Sequence, residues 1–155
     1  MHRPELAPNL LPHPPEVNWL DVDRIAWVDV TSEEKGYPIE STLIEGSGGW
    51  RAADPGLQRI RILFHEPQKL TRIWMAFEET EHTRTQQFLL RWCQSPGHSF
   101  REIVRQEWNF SPGGSVREIE NYAVELSDVQ VLELLIVPDK SDSDVRASLL
   151  SLRLM

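Results

Sequence analysis

A chain of 155 residues, 40% apolar and 26% charged, suits one domain with a proper core and is too short for two. Its net charge of −8 excludes the concentrated Lys/Arg footprint that a nucleic-acid backbone demands, and it offers nothing to an anionic membrane surface. The chain lacks a signal-peptide pattern, lacks the roughly 18-residue apolar run of a membrane span, and carries Cys93 as its single cysteine, so a cytoplasmic setting without disulfides is expected.

Residues 1–18 contain Pro4, Pro8, Pro12, Pro14 and Pro15, which forbid a continuous helix or an interior strand, and they are expected to form an extended arm. The domain proper is then 19–155. From Asp21 onward, apolar-rich runs are separated by turn signals. Arg24 to Val30 is the first run. Within 57–64, Ile60, Ile62 and Phe64 alternate with Arg59, Arg61 and Leu63, the period of two that marks a strand. Within 70–77, Ile73, Met75 and Phe77 alternate in the same way. Further strands are predicted over Thr85–Gln94, Phe100–Phe110, Val116–Leu126, Val129–Val137 and Arg146–Leu154, with Pro- and Gly-bearing breakers between most of them. Thr85–Gln94 and 145–154 also contain helix formers; the alternation of Leu150, Leu152 and Leu154 favours strand in the second. About eight strands at short spacing predict an all-β fold, an antiparallel jelly-roll sandwich.

The connection from Thr31 to Gly56 is far longer than an ordinary loop, and loops of that length tend to carry function. A helical turn is predicted within it at Ile39–Ile44. Its second half, Ile44-Glu45-Gly46-Ser47-Gly48-Gly49-Trp50-Arg51, is a Gly-rich turn presenting a flat aromatic beside a guanidinium fork. If consecutive strands run antiparallel, this connection shares one end of the sandwich with 78–84, 109–115 and 140–144. That end gathers the long polar loops, and the opposite end has only short turns. The candidate ligand-binding residues are therefore Tyr37, Glu45, Trp50, Arg51, His82, Arg84, Trp108 and Asn109. Trp50 reads either as a stacking surface or as a cap on the core, and both readings stay open. Of the other tryptophans, Trp19, Trp27, Trp74 and Trp92 are assigned mostly to the core, and Trp108 is placed nearest the rim.

Nothing in the chain has the pattern of a catalytic or metal site. The glycines lack the Lys-Ser/Thr of a phosphate loop, and no G-x-S-x-G elbow occurs. The histidines have no zinc spacing, Asp139–Asp144 lacks the ligand order of an EF-hand, and Cys93 reads as a structural thiol in a strand. Glu79, Glu81 and His82 read as a solvated hairpin turn.

From about Val28 onward the order of elements resembles the discoidin, or coagulation-factor type C, family of galactose-binding-like jelly rolls. The matching residues are Asp29–Glu34 after the first strand, the helical turn Pro38–Gly46, Trp50-Arg51-Ala52 before the next strand, and Lys69-Leu70-Thr71-Arg72-Ile73. The unit Cys93–Ile103 and the closing strands 131–137 and 147–154 complete the order. The resemblance implies a non-catalytic binding module whose loops at one end take a carbohydrate. Its alternative implication is a protein–protein scaffold, because an intracellular repair scaffold of the same fold carries a similar Trp-Arg-Ala-Ala turn. Many members hold a structural calcium through an Asp in the first long loop and a Glu near the last strand. Here the first position is Glu45 and 147–155 has no acidic residue, which argues against calcium; no cofactor is expected.

Overall fold

The computed structural model describes residues 18–44 and 46–155; the Pro-rich arm, apart from Asn18, and Glu45 lie outside the described residues. After a one-turn helix at Val22–Ile25, the strands are β1 (Ala26–Val30), β2 (Trp50–Pro55), β3 (Gln58–Glu78), β4 (Arg84–Cys93), β5 (Arg101–Phe110), β6 (Arg117–Val137), β7 (Arg146–Leu149) and β8 (Ser151–Leu154). A 3-10 turn at Ile39–Leu43 interrupts the first long connection, where the helical turn was expected.

All pairings are antiparallel. The larger sheet runs β1-β3-β6-β4-β5 with β8 also on β3, and β2 pairs with β7 separately. Strands β3 and β6 each serve both layers of the sandwich. Gln58–Leu63 pairs with 131–136 of β6 beside β1 and β4, whereas Arg72–Glu78 pairs with 117–123 beside β8.

The expected breaks at 65–69 and 127–128 are thus corners within continuous strands. Pro67 cannot donate to a ladder, and the register shifts three times between Leu63 and Arg72. Opposite lies Asp128, with a left-handed φ of 57°. These irregularities let both strands turn from one layer to the other without ending. Two other expectations need correcting. The long connection contains a strand, β2, and the last segment splits at Leu150 into β7 and β8, which have different partners.

Between the layers lies a core in which Ile60, Ile62 and Phe64 meet Leu132, Leu134, Phe88 and Leu90 from the first layer. Ile73, Met75, Phe77, Leu152 and Leu154 contribute from the second. The Phe77 and Phe88 rings stack at 5.5 Å between centroids. The period of two in the sequence is this inward face. On the outer face Glu133 is fully buried, held by Arg61 Nε and Arg91 Nε at 2.8 Å each. The ring of Phe100 lies under both guanidinium groups, 4.3 Å from that of Arg91 and 5.8 Å from that of Arg61.

Candidate functional site

The long connection is ordered by its own hydrogen bonds. Trp50 Nε1 donates to the Ser32 carbonyl at 3.0 Å, Ser32 Oγ accepts from Ala53 N, and Ile39 N donates to Glu33 Oε1 at 2.7 Å. Buried Gln58 accepts through Oε1 from the hydroxyls of Thr31 and Ser32, both at 2.7 Å. Strand alternation then decides what the Trp-Arg pair presents. Trp50, opposite Leu149, points into the core and is 1% exposed, so Arg51, opposite Ser148, points out.

Arg51 opens onto a cavity of about 660 Å³ at the loop end of the sandwich. Its walls come from Glu34, from 78–83, from Asp139, Asp142 and Asp144, and from Arg146 and Ser148 of β7. Loops from three of the four expected connections thus line one cavity, and 109–115 contributes no lining residue. The guanidinium of Arg51 sits 4.2 Å above the Tyr37 ring, which holds it in a fixed attitude. The lining holds seven carboxylates (Glu34, Glu78, Glu79, Glu81, Asp139, Asp142, Asp144) against two arginines, Arg51 and Arg146. Several of the seven are engaged. Glu78 pairs with Arg117, Asp139 accepts from the Ser141 amide, and Asp142 accepts from that of Asp144.

Glu79 organises the 78–83 turn. One of its oxygens accepts from Arg84 Nε at 2.7 Å, and the other from the amides of Glu81 and His82 at 3.0 and 3.3 Å. Partial burial opposes its ionisation, but Arg84 and those two amides outweigh it, holding its pKa below the usual carboxylate value.

The eight expected site residues separate into groups. Tyr37, Arg51 and His82 stand at the rim, the last exposed on the cavity wall. Trp50 offers no ring face, because the core encloses it. Arg84 is buried between Glu79, the Pro138 carbonyl and Gln86, above the Phe110 ring, so it supports the rim from beneath. Trp108 does not reach the rim; it lies opposite buried Gln86, on the inner face of β5, and packs against the core. Asn109 is exposed and accepts from the Thr85 hydroxyl. Glu45 lies outside the described residues. Trp27, assigned to the core, is 65% exposed on edge strand β1, edge-on to His65. Sequence reasoning missed Glu34 and Arg146 as wall residues. Glu34 stands only within the segment Asp29–Glu34 that carries the resemblance, and only the pairing of β2 with β7 brings Arg146, opposite Pro55, to the cavity that Arg51 lines.

Below the rim lies a polar cluster inside the sandwich. Glu118, fully buried, accepts from Gln86 Nε2 at 3.1 Å, and Gln86 Oε1 accepts from Arg84 at 3.1 Å. Burial, then the neighbouring Glu120 carboxylate, push the Glu118 pKa up to about 9, and burial with the same carboxylates raises that of Tyr122. At the other end of the molecule, Cys93 is buried, its thiol donating to the Ser95 carbonyl, and burial raises its pKa. Among the described residues no group of three or more His, Cys, Asp or Glu side chains is placed to hold a metal ion.

No family model matches the chain, and no curated protein does. Solved structures do. A family 32 carbohydrate-binding module from C. perfringens NanJ, solved with galactose, is 13% identical, with 88% of this chain and 96% of that one covered at a TM-score of 0.61. The family 32 module of AlyQ, solved with 4,5-unsaturated mannuronic acid, is 17% identical over 84% and 95% at 0.60. Reduced XRCC1 bound to the DNA polymerase β catalytic domain is 10% identical over 82% and 92% at 0.58. The chain thus has the discoidin-like jelly-roll fold, the galactose-binding-domain-like sandwich.

Proposed function

We propose that this protein is a non-catalytic carbohydrate-binding module whose ligand sits in the rim cavity beside Arg51. The observation that carries this reading is the cavity itself: loop-end placement, a guanidinium fixed on Tyr37, and carboxylates around it. A sugar hydroxyl both donates and accepts, so adjacent carboxylates and guanidinium forks suit it, and exposed His82 adds a further polar group. The galactose- and uronate-bound neighbours of the same fold support a saccharide as the ligand class.

Charge narrows the choice. Seven carboxylates against two arginines repel an anionic sugar, so the ligand is a neutral glycan. A binding role suits Glu79, whose carboxylate is engaged in holding its own turn through Arg84 and the amides of Glu81 and His82. Titration calorimetry with galactose and galacturonic acid tests the reading. Galactose or a galactose-bearing glycan binds, galacturonic acid does not, and Arg51→Ala abolishes binding. A glycan array without any Arg51-dependent signal overturns it.

A further inference from the structure

A continuous path of side chains joins the interior of the sandwich to the rim turn. It begins at Glu118, whose cross-strand neighbour on β3 is buried Phe77. Gln86 Nε2 donates to Glu118 Oε1, Arg84 donates to Gln86 Oε1 and, through Nε, to Glu79 Oε1. Glu79 Oε2 accepts the amides of Glu81 and His82 in the cavity wall. Arg84 also donates to the Pro138 carbonyl at 2.7 Å, so one guanidinium ties two rim segments together.

The groups facing Glu118 can be named from each element. From β4 come Arg84 and Gln86; from β6 itself, Glu120 and Tyr122; from β5, Trp108, opposite Gln86. The flanking β3 positions, Phe77, Met75 and Ile73, are apolar. Glu118 Oε2, Glu120 Oε2, Tyr122 OH and Trp108 Nε1 are all buried without a conventional partner. A proton on Glu118 resolves this for the carboxyl pair, because the neutral acid donates to Glu120 instead of repelling it. Arg84 is then the cation for Glu79 alone. Ionised, Glu118 and Glu120 become two like charges, and Arg84, one residue away along the path through Gln86, is a cation whose charge acts on Glu118.

We propose that Glu118, held as a neutral acid, is a positioning residue for the rim: it leaves Arg84 to Glu79 and thereby fixes the 78–83 turn that walls the cavity. Loss of its proton draws Arg84 inward and releases the turn. The inference concerns the cavity assigned above to a sugar, but its test uses no sugar, so either can fail without the other.

The test is a pH titration of the 15N-labelled full chain, following the amides of 79–83 by NMR from pH 6 to 10.5. In the wild type those amides shift together with a midpoint about 9, well separated from the ordinary histidine range. Glu118→Gln mimics the neutral acid and removes that transition. Gln86→Met cuts the path, so the Glu118 side-chain carboxyl still titrates while the rim amides do not follow. An unchanged rim transition in Glu118→Gln, or a wild-type rim that stays still while the Glu118 carboxyl titrates, overturns the proposal. Should Glu118→Gln fail to fold, the comparison of wild type with Gln86→Met decides it.

Discussion

Trp50 Nε1 donates to the Ser32 carbonyl across 3.0 Å, joining the start of β2 to the chain just beyond β1. That bond satisfies the only polar atom of an otherwise enclosed indole, and it makes Trp50 the peg around which the first long connection is wound. Trp50→Ala should therefore cost about 3–5 kcal/mol, the range for emptying a large aromatic site. Trp50→Phe should cost less, since it keeps part of the packing and loses the bond. Urea denaturation measures both, and equal losses would show that the packing a phenyl ring retains contributes nothing.

Arg51 is the outward neighbour of that peg, exposed and stacked on Tyr37. Arg51→Ala should leave stability within about 0.5 kcal/mol, as for most surface changes, while abolishing glycan binding. Thermal melting and calorimetry on the same sample separate the two effects. Tyr37→Ala should weaken binding less, because the guanidinium remains but loses its fixed attitude.

Gly49 has φ of +81°, and a Cβ there would stand 2.6 Å from the Leu149 carbonyl oxygen and 2.9 Å from the Leu150 Cα. Both obstacles are backbone, so they cannot swing aside. Gly49→Ala should destabilise by more than about 1 kcal/mol, since the left-handed conformation and the clash act together. By contrast, Gly46→Ala meets no atom within 4 Å and bears only the conformational penalty. Melting temperatures of the two variants should differ in that order.

Glu133 is fully buried under Arg61, Arg91 and the Phe100 ring. Glu133→Ala leaves two guanidinium groups crowded over one ring without their shared counter-ion and should cost about 3–5 kcal/mol. Losing either arginine alone should cost less, because the other still holds the carboxylate. A double-mutant cycle on Arg61 and Arg91 should show clear coupling, and additive losses would contradict the shared-anchor description.

Stability should fall with rising pH through the action of Glu118. Its folded pKa, about 9, lies above the unfolded value of 4.5, so the folded state binds the extra proton between those limits. The contribution is fully present below the unfolded pKa and is lost as pH rises toward 9, at a slope of up to about 1.4 kcal/mol per pH unit. Glu118→Gln should flatten that slope, and denaturation midpoints from pH 6 to 9 would show it. Glu79 acts with the opposite sign. Its lowered pKa stabilises above the unfolded value, and that support disappears as pH falls through the folded one.

Much of the fold was legible because a sandwich writes its inner face as alternation. Ile60-Arg61-Ile62-Leu63-Phe64 and Ile73-Trp74-Met75-Ala76-Phe77 mark strands wherever they stand, and the breakers show where the chain turns. Three of the four connections expected at the loop end line the cavity there, since hairpin order sends alternate connections to one side. Strand ends were less so. Pro67 and the Ser127-Asp128 step look like loops locally, yet corner bulges carry both strands through.

Most strand segments and a Trp-Arg pair within the longest connection can be read from the residues alone, whereas β2 and the split between β7 and β8 cannot. Which half of that pair faces out follows from strand pairing. Alternation says that Trp50 and Arg51 lie on opposite faces, but pairing with Leu149 and Ser148 of β7 chooses the faces. The same holds for Arg84, Gln86 and Glu118, which are 32 residues apart at their widest bond and become a single path only when two layers close on one another. Register and layer packing are long-range properties, set by where an apolar surface can be buried, and no local run of residues contains them.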